Sequence, residues 1–454
     1  MLLKMSPSIA DMDAPGEVKR LDCEYKDLSA PFRLQERDYY RQFFNLYAVR
    51  LNKMREWLLA CVEKKWGKKY AVKRLTDLKE GDDSCICVGT LFKHQELKPS
   101  ILKEISEDNQ LMPLPKRTHF VSDEDKLILE DELQRMPLIG SLNVHELVTG
   151  CVVAVLGKPS TGGKFQVEDV CWPSPTNPIY STPRVQSDRL LVLVSGFDLV
   201  GSSDSVFPIE LFIDWATGLI GNPADQSRIV RVIVAGNSFR SQLEPEADIF
   251  AKFGNTTQKD NINANLLAAR QLDDILNQLS TSVDVELMPG AFDPTNNSLP
   301  QQPLHFCMFP KASKNITFHG ATNPHMFELG SRLVVGTSGQ SVADITAFSK
   351  IEDPLVALEK TLEWGHLMPT APDTLACYPF YKEDPFIMNN KPDIYFVGNQ
   401  DSFQTKLVNS SDEDSPTRLV CVPKFATTFT CAVVNLATLD CYPVSFNVKK
   451  VTTG

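Results

Sequence analysis

The spacing of apolar residues changes three times along the chain, and each change marks a different kind of element. From Gln35 onward, apolar positions recur every three or four residues, which predicts an amphipathic helix. These positions are Tyr39, Phe43, Leu46, Tyr47, Val49 and Leu51, continued by Trp57, Leu58 and Cys61. The residues before the helix are polar and contain proline, so we expect a loosely held N-terminal tail over residues 1–35.

The predicted helix ends in a basic stretch, Lys64–Arg74, which contains five lysines and one arginine. One interpretation is a patch that binds anions or directs localisation. The other is a solvated helix end whose cations lie at the negative pole of the helix dipole. We favour the second interpretation, because it requires no partner.

Four short runs of strand-forming residues follow, and together they predict a small barrel. The runs are Cys85–Phe92, Lys126–Glu130, Cys151–Gly157 and Lys164–Trp172. Several short strands in about 110 residues fit an oligonucleotide/oligosaccharide-binding (OB) fold. Barrels that bind single strands interleave aromatic and basic residues, whereas these strands are aliphatic and carry cysteine. A structural or protein-binding barrel is therefore favoured over a DNA-binding module, whose only support is the basic stretch.

Beyond a proline-rich connector, Pro173–Pro183, buried strands alternate with helices. Apolar runs predict strands at Leu190–Ser195, Ile229–Ala235 and Val283–Met288. Helical spacing lies between them, at Ile209–Leu219 and Ile262–Leu279. This β-α-β-α-β order implies a mostly parallel sheet. Later strands are predicted at Leu304–Phe309, Arg332–Val335 and Asp393–Val397, and a helix at Pro354–Trp364. The alternating residues across Arg418–Val448 predict a final set of strands.

These elements divide the chain into three regions: a flexible tail at 1–35, an OB-fold domain with its leading helix at 36–185, and an α/β domain at 186–454. The net charge of −11 disfavours a primary role in binding duplex DNA, because an acidic chain repels phosphates. The N-terminus lacks the apolar core of a secretory signal, and no run approaches the roughly 20 apolar residues of a membrane span.

The eleven cysteines include no C-x-x-C pair, so their spacing does not predict a zinc site. Together with the missing secretory signal, this indicates buried, reduced thiols. Cys85 and Cys87 alternate inside an apolar run and are expected in the core of the barrel.

Glycine follows the predicted α/β strands at or near their ends, where an open α/β sheet binds its ligands. The glycines are Gly196, Gly236, Gly290, Gly336 and Gly398. In order and spacing, these loops resemble those of the binuclear metallophosphoesterases, whose motifs are D-x-H, GD-x-x-D, GNH-D/E, a lone His and GH-x-H. Such enzymes use two divalent metals about 3.5–4 Å apart to clamp phosphate and activate water. The resemblance implies a calcineurin-like β-sandwich flanked by helices.

The ligand positions of those motifs carry other residues in this chain. They are Phe197, Leu199, Asn237, Arg240, Ala291, Phe292, Ser338, Asn399 and Asp401. No histidine remains at a motif position, and phenylalanine and leucine do not bind metals. The resemblance therefore implies an inactive phosphodiesterase-like domain with no catalytic residue, no metal and no cofactor.

Several longer sequence segments resemble those of one family. They include SGFDLVGSS (Ser195–Ser203), PGAFDPTN (Pro289–Asn296), GTSGQSVADI (Gly336–Ile345) and HLMPTAPDTLACYPF (His366–Phe380). These strings, with an OB barrel before a degenerate phosphoesterase domain, resemble the B subunits of the eukaryotic replicative DNA polymerases, and within them the delta branch.

The resemblance implies a non-catalytic scaffold in the nucleus that acts in replication and repair. Its implied partners are the C-terminal Cys-rich metal-binding module of the catalytic subunit, the N-terminal winged-helix domain of a third subunit, and a small fourth subunit. The sliding clamp and DNA would be reached mainly through these partners, and no membrane is involved.

A remnant metal-dependent phosphodiesterase stays as the alternative. Asp198, Asp293 and Asp401 lie at the strand ends and would have to gather a cation, although tight-turn hydrogen bonding is the simpler role for them. His366, before the Pro369–Asp373 loop, is the residue we would first suspect of chemistry, and packing is its simpler role. His305, His319 and His325 are expected to be core or loop histidines.

Overall fold

The structure is a computed structural model that describes residues 19–35, 38–99, 117–173, 175, 187–200, 205–240, 255–409 and 416–447, and the side chains of 255–262 are not described. The tail up to residue 18, most of the proline-rich connector and the residues after 447 lie outside these ranges. Within them, no helix is long and apolar enough to cross a membrane.

One long helix, α1 (Phe44–Trp66), leads into the barrel and begins later than the predicted start at Gln35. The Asp38 carboxylate accepts hydrogen bonds from the Tyr40 amide at 3.1 Å and from Arg41 Nε at 2.9 Å. Such local bonds hold the chain in a turn and compete with helix formation. The apolar face of α1 then buries Leu51 and Leu58 against the barrel.

The barrel has five strands and closes in the order β2-β3-β4-β6-β5. The strands are β2 (Cys85–His94), β3 (Lys126–Glu130), β4 (Arg135–Gly140), β5 (Val152–Ser160) and β6 (Lys164–Cys171). The sequence prediction missed β4, where Pro137 interrupts a short run, although Met136 and Leu138 still alternate inward. Cys85 and Cys87 lie in the core as expected.

The first of two six-stranded sheets has the order β10-β9-β8-β7-β16-β17. Its strands are β7 (Leu190–Val194), β8 (Ile229–Ala235), β9 (Asp284–Met288), β10 (Phe318–Gly320), β16 (Thr430–Asn435) and β17 (Cys441–Ser445). Strands β7, β8 and β9 are parallel, as the alternating pattern predicts. The helices that connect them are α2 (Val206–Thr217), α3 (Pro223–Gln226) and α4 (Asn255–Ser280).

The second sheet has the order β1-β11-β12-β13-β15-β14. Its strands are β1 (Tyr25–Asp27), β11 (His325–Leu329), β12 (Arg332–Thr337), β13 (Ile394–Gln400), β14 (Gln404–Val408) and β15 (Thr417–Pro423). Two further helices pack on this half, α5 (Gln340–Phe348) and α6 (Pro354–Glu363). A short helix, α7 (Phe425–Thr428), follows β15 and packs in the core of the first sheet. The predicted set of strands across Arg418–Val448 is thus interrupted by α7.

Two expectations need correction. Residues 19–35 are not a loose tail, because β1 pairs with β11 and Phe32 is 1% exposed. A three-residue edge strand leaves too short a pattern to detect. The predicted strand Leu304–Phe309 contains instead a short 3₁₀ turn, Phe306–Met308, because the His305 ring caps the Cys307 amide.

The two sheets face each other across an apolar layer that includes Leu193, Ile233, Val334 and Phe396. A separate cluster joins the barrel to the α/β half. In that cluster, barrel residues such as Cys87 and Leu129 pack in the same core as Ile345 of α5 and Leu358 of α6. The barrel is therefore fixed to the rest of the chain by shared apolar burial, the dominant favourable term in folding.

Candidate functional site: the strand-end groove

The glycines at the strand ends are required because the loops touch one another. A Cβ on Gly236 would lie 2.7 Å from Ser338 Cβ and 2.8 Å from Gly290 Cα. A Cβ on Gly290 would in turn overlap the backbone nitrogen of Asn237. No side chain fits there at contact distances this short, so glycine is explained by packing between loops, independently of any metal.

The loops border an open cavity of about 870 Å³, called here the strand-end groove. Six of the nine positions singled out in the sequence line it: Asn237, Ala291, Phe292, Ser338, Asn399 and Asp401. One wall comes from α5, and a segment of the barrel domain at His119–Val121 contributes another. Phe120 anchors that segment, since its amide donates to the Ala347 carbonyl at 2.9 Å.

The other three positions are not among the residues that line the groove. Phe197 is fully buried and packs edge-on against Phe425. Leu199 packs against the same apolar core. Arg240 donates through Nη2 to Asn265 Oδ1 at 3.2 Å. The two positions of the first motif are thus filled by core side chains.

Two asparagines hold the groove's floor. Asn237 and Asn399 both have left-handed backbones, with φ of 54° and 60°, a conformation that asparagine tolerates better than most residues. Asn399 Nδ2 donates to the carbonyls of Ala235 (3.1 Å) and Ser338 (2.8 Å). Asn237 Oδ1 accepts from the Phe292 amide at 3.2 Å. Their amides thus connect neighbouring loops.

A buried chain of uncharged side chains continues from Ser338. Its Oγ accepts a hydrogen bond from Asn323 Nδ2 at 2.6 Å and donates to Gln340 Oε1 at 2.7 Å. Asn323 Nδ2 also donates to Gln301 Oε1 at 2.8 Å. Ser338, which stands where the enzyme motif has its lone histidine, is therefore part of a network of amide and hydroxyl groups.

The three strand-end aspartates have different surroundings. Asp293 is buried and accepts hydrogen bonds from the amides of Phe239 and Gly290, each at 2.9 Å. Burial raises the pKa of Asp293 to about 6, against these bonds, which lower it. Asp401 is exposed and pairs with Lys424 Nζ at 2.8 Å, and Asp198 has a left-handed backbone. In the parts of the chain that the structure describes, no three His, Cys, Asp or Glu residues are grouped as a metal would need.

Sequence reasoning missed three contributors to the groove: Lys424, Gln340 and the barrel-domain segment. Lys424 follows β15 directly, so treating the end of that strand like the others would have found it. Gln340 begins α5 just after the GTSG loop. The segment at His119–Val121 carries no local signal, because only tertiary packing brings it to the sheet.

His366 is not at the groove but in a buried ion cluster with Arg50 and Asp384. Asp384 Oδ2 lies 2.6 Å from Arg50 Nε and 2.9 Å from His366 Nε2. Arg50 also donates to three carbonyls, those of Gly150 (3.3 Å), Pro369 (3.0 Å) and Ala371 (2.7 Å). The cluster therefore ties α1 and the barrel to the loop that the sequence marked as suspect.

Electrostatics fix the charges of this cluster. Burial and the neighbouring Arg50 lower the pKa of His366 to about 4, so its ring is neutral near pH 7. Burial opposes ionisation of Asp384, but Arg50 and His366 hold its pKa below the usual range. The His366 Nδ1 accepts the Met368 amide at 3.2 Å, as a neutral ring with its proton on Nε2 would. Every group in the cluster has a structural partner.

Of the three other histidines considered in the sequence, His325 is in the core and His305 is in a loop, as expected, whereas His319 lies on a strand. His325 is buried between Ser29 Oγ, at 2.7 Å, and the carboxylate of Glu286. His305 caps the turn described above, and His319 is exposed on β10. All eleven cysteines are free thiols, seven of them buried.

The barrel and the two-sheet α/β half each match a family of subunits of replicative DNA polymerases. Residues 42–170 match the family described as DNA polymerase delta subunit OB-fold domain. Residues 191–405 match the family described as the B subunit of DNA polymerase alpha/epsilon.

Relatives that match over nearly the whole chain narrow the class of protein further. The chain is 46% identical to DNA polymerase delta subunit 2 of Drosophila melanogaster, over 94% of this chain and 99% of that protein. It is 39% identical to the DNA polymerase delta small subunit of Oryza sativa subsp. japonica (95% and 99%), and 29% identical to that of Saccharomyces cerevisiae (95% and 95%). The chain belongs to the family of DNA polymerase delta second, or small, subunits.

Proposed function

We propose that the chain is a non-catalytic scaffold subunit of DNA polymerase delta. The observation that carries the proposal is what occupies the metal-ligand positions of the resembled enzymes. Phe197 is fully buried in an apolar core, and Asn237, Ser338 and Asn399 use their polar groups to bond neighbouring loops. A binuclear site needs several imidazole and carboxylate ligands, whereas these four positions supply amides, a hydroxyl and an apolar group. Asp401 is a carboxylate at a ligand position, and it pairs with Lys424 Nζ at 2.8 Å.

The α/β half is proposed to be a calcineurin-like fold with its active site lost. Support comes from two facing six-stranded sheets, the parallel β7-β8-β9 unit with α2 and α4 as its connections, and convergent strand-end loops. We propose a division between an OB-fold domain at 36–185 and this phosphodiesterase-like domain at 186–454. Residues 19–35 add an edge strand to the second domain.

The scaffold is proposed to bridge three partners in the nucleus, in DNA replication and repair. They are the C-terminal Cys-rich metal-binding module of the catalytic subunit, the winged-helix domain of the third subunit and the small fourth subunit. The sliding clamp and DNA are reached mainly through them. Support comes from the polymerase family of the chain and from a rigid joint between its barrel and its α/β half, which offers fixed, separate surfaces.

Reconstitution tests the bridge. The full chain is mixed with the purified Cys-rich module, the winged-helix domain, or both, and each mixture is measured by size-exclusion chromatography with light scattering. A bridge gives two binary complexes and one ternary complex of 1:1:1 stoichiometry. Mutual exclusion of the two partners, or no binding of either, would contradict the bridging role while leaving the family assignment intact.

A further inference from the structure

Four aromatic side chains are exposed together at the point where α1 begins. They are Tyr39 (57% exposed), Tyr40 (99%), Phe43 (39%) and Phe44 (65%), called here the aromatic patch. The hydrophobic pattern assigned Tyr39 and Phe43 to the apolar face of a helix, yet both precede α1 and both are exposed. The buried face of α1 begins only at Leu46, so packing of the helix does not explain the patch.

The patch is large for the surface of a folded chain. An aromatic residue has about 150–250 Å² of surface to bury, so these four, partly exposed, offer roughly 400–650 Å². Contiguous apolar areas of this size on soluble proteins mark interaction sites. A standard protein interface covers about 800 Å² on each partner, so the patch alone is too small to hold a second copy of this chain in a stable dimer. Its size suits a short segment of another polypeptide.

The patch rests on a well-ordered base. The Tyr39 ring packs edge-on against the buried Tyr378, with ring centroids 5.3 Å apart. The Tyr378 hydroxyl accepts a hydrogen bond from the Asp38 amide at 2.8 Å. Arg41 lies over the Tyr381 ring, 3.6 Å from its centroid, and donates through Nε to Asp38 at 2.9 Å. A surface fixed in this way loses little conformational freedom when a partner binds.

The charged side chains around the patch balance one another. They come in neighbouring pairs of opposite sign: Arg41 with Asp38, Lys382 with Glu383 and, further out, Lys98 with Asp373 and Arg135 with Glu130. Glu36 and Arg37, which lie outside the described residues, add one charge of each sign. Sites that bind single-stranded nucleic acid combine aromatic rings with a positively charged groove. The neutral surroundings of the patch therefore favour a polypeptide over a nucleic acid.

The start of α1 indicates which charge the partner carries. Phe43 is the N-cap residue, and no side chain caps the helix. The amides of Phe44 and Asn45 donate to no acceptor in the part of the chain that the structure describes. The peptide dipoles of this 23-residue helix add a partial positive charge at the same point. A carboxylate among apolar side chains would therefore complement the patch.

We propose that the aromatic patch binds a short apolar segment of a partner protein, and that this segment carries an acidic residue. The apolar side chains of the segment pack on the four rings, and its carboxylate accepts hydrogen bonds from the amides of Phe44 and Asn45. Exposed aromatic residues are typical of the centres of protein interfaces. No residue of the patch lines the strand-end groove. The proposal rests on the scaffold role above only in requiring a partner.

Peptide selection on the full chain tests the proposal. The probe is a phage-displayed library of random peptides about 12 residues long, selected on the unaltered chain and counter-selected on the double variant Tyr40→Ser/Phe44→Ser. These are the two most exposed rings of the patch, so their replacement should leave the fold intact, which circular dichroism checks. The enriched peptides are expected to share at least two large apolar residues with an Asp or Glu close to them.

Fluorescence anisotropy of an enriched, fluorescein-labelled peptide then measures the contribution of the rings. The double variant should weaken binding at least tenfold. The matched control is Ile316→Ser, which removes a 90% exposed apolar side chain elsewhere on the α/β half and should leave binding unchanged.

The helix end is tested separately. Replacing the acidic residue of the peptide by its amide should weaken binding about threefold to fivefold. Asn45→Glu places a carboxylate in the first turn of α1, so it should remove this preference for the acidic peptide, whereas the neutral Asn45→Gln should keep it. A patch that only attracts apolar side chains would show no such difference between the two variants.

Three results would overturn the proposal. The first is a selection that enriches no peptide on the unaltered chain over the double variant, or peptides that bind as well with an amide as with an acid. The second is a dimer in light scattering that the double variant dissociates, because a second copy would then cover the patch. The third is binding of a labelled oligothymidylate that the double variant abolishes. The reconstitution described above is measured independently, so failure here is distinguishable from failure of the bridging role.

Discussion

In two regions of the molecule, the strand-end groove and the buried ion cluster, the residue types are the reverse of what their positions suggest. The groove lies where an α/β sheet binds ligands, yet its floor is made of amides and a hydroxyl. The ion cluster lies in the interior, yet it contains an arginine, an aspartate and a histidine within hydrogen-bond distance. A constellation that resembles catalytic machinery is thus used to join the barrel to the α/β half.

Solvent exposure and unused hydrogen-bonding capacity explain the difference between the two regions. A catalytic histidine needs access to substrate and a pKa near the working pH. His366 is 1% exposed and has a lowered pKa, and both ring nitrogens are already bonded. Residue types alone therefore do not identify a site, whereas their unused hydrogen-bonding capacity and their access to solvent do.

The largest expected effect comes from breaking the ion cluster. Arg50→Met leaves the Asp384 charge and three carbonyls buried without their donor, which should cost about 3–5 kcal/mol in the free energy of unfolding. Urea denaturation followed by far-UV circular dichroism measures it. The matched control is Arg55→Met on the same helix, whose half-exposed pair with Glu132 spans 3.6 Å and should matter by less than about 1 kcal/mol. Equal losses in the two variants would show that the cluster is not special.

A single methyl group added to one of the strand-end loops should lower the free energy of unfolding. Gly290→Ala forces a Cβ onto the backbone of Asn237, so we expect about 1–3 kcal/mol of destabilisation through overpacking. Gly320→Ala serves as the control, because the nearest atom to its Cβ is the Pro303 side chain at 3.2 Å. A neutral Gly290→Ala variant would mean that the strand-end loops do not touch as described.

The ion cluster should also make the free energy of unfolding depend on pH in a distinct way. His366 has a pKa of about 4 in the folded chain and about 6.5 when unfolded, so the unfolded state binds more protons between those values. Stability then falls as the pH drops from 6.5 to 4, by at most about 1.4 kcal/mol per pH unit. His366→Gln should remove this slope in urea melts at stepped pH. A variant that keeps the full slope would refute this assignment of the slope to His366.

Asp293, which is buried beside the strand-end loops, should give the opposite slope over a narrower pH window. Its pKa is raised to about 6 from an ordinary 3.8, so the folded state binds more protons in that range. Stability contributed by Asp293 is present at low pH and is lost as the pH rises from 3.8 to 6. Subtracting the Asp293→Asn curve from that of the unaltered chain isolates this term. A difference that rises with pH would show that the backbone hydrogen bonds outweigh burial.

Local patterns were sufficient for much of the fold. Continuous apolar runs predicted β8 at its observed limits and β7 and β9 to within a residue, because strands covered on both faces must be apolar throughout. Six of the positions marked by the glycines and the motif spacing line one groove. The edge strand β1 and the proline-interrupted β4 escaped detection, because neither contains a run long enough to show a period.

The ion cluster could have been partly predicted. Arg50 lies between Leu46 and Met54 at four-residue spacing, on the apolar face of α1, and a cation there requires a buried partner. That partner is 334 residues away, so no local pattern could identify Asp384. The same limit applies to His119–Val121, which reach the groove only through tertiary packing.

A calorimetric manganese titration of the purified chain, with bis-nitrophenyl phosphate hydrolysis measured on the same sample, tests most directly whether this subunit serves as architecture without chemistry. The account predicts no saturable binding of metal ions and no hydrolysis above the buffer rate, because most ligand positions carry amides or core side chains and the carboxylate of Asp401 is paired with Lys424. Binding of two ions with turnover that Asp293→Ala abolishes would contradict it, and the chain would then be a remnant phosphodiesterase.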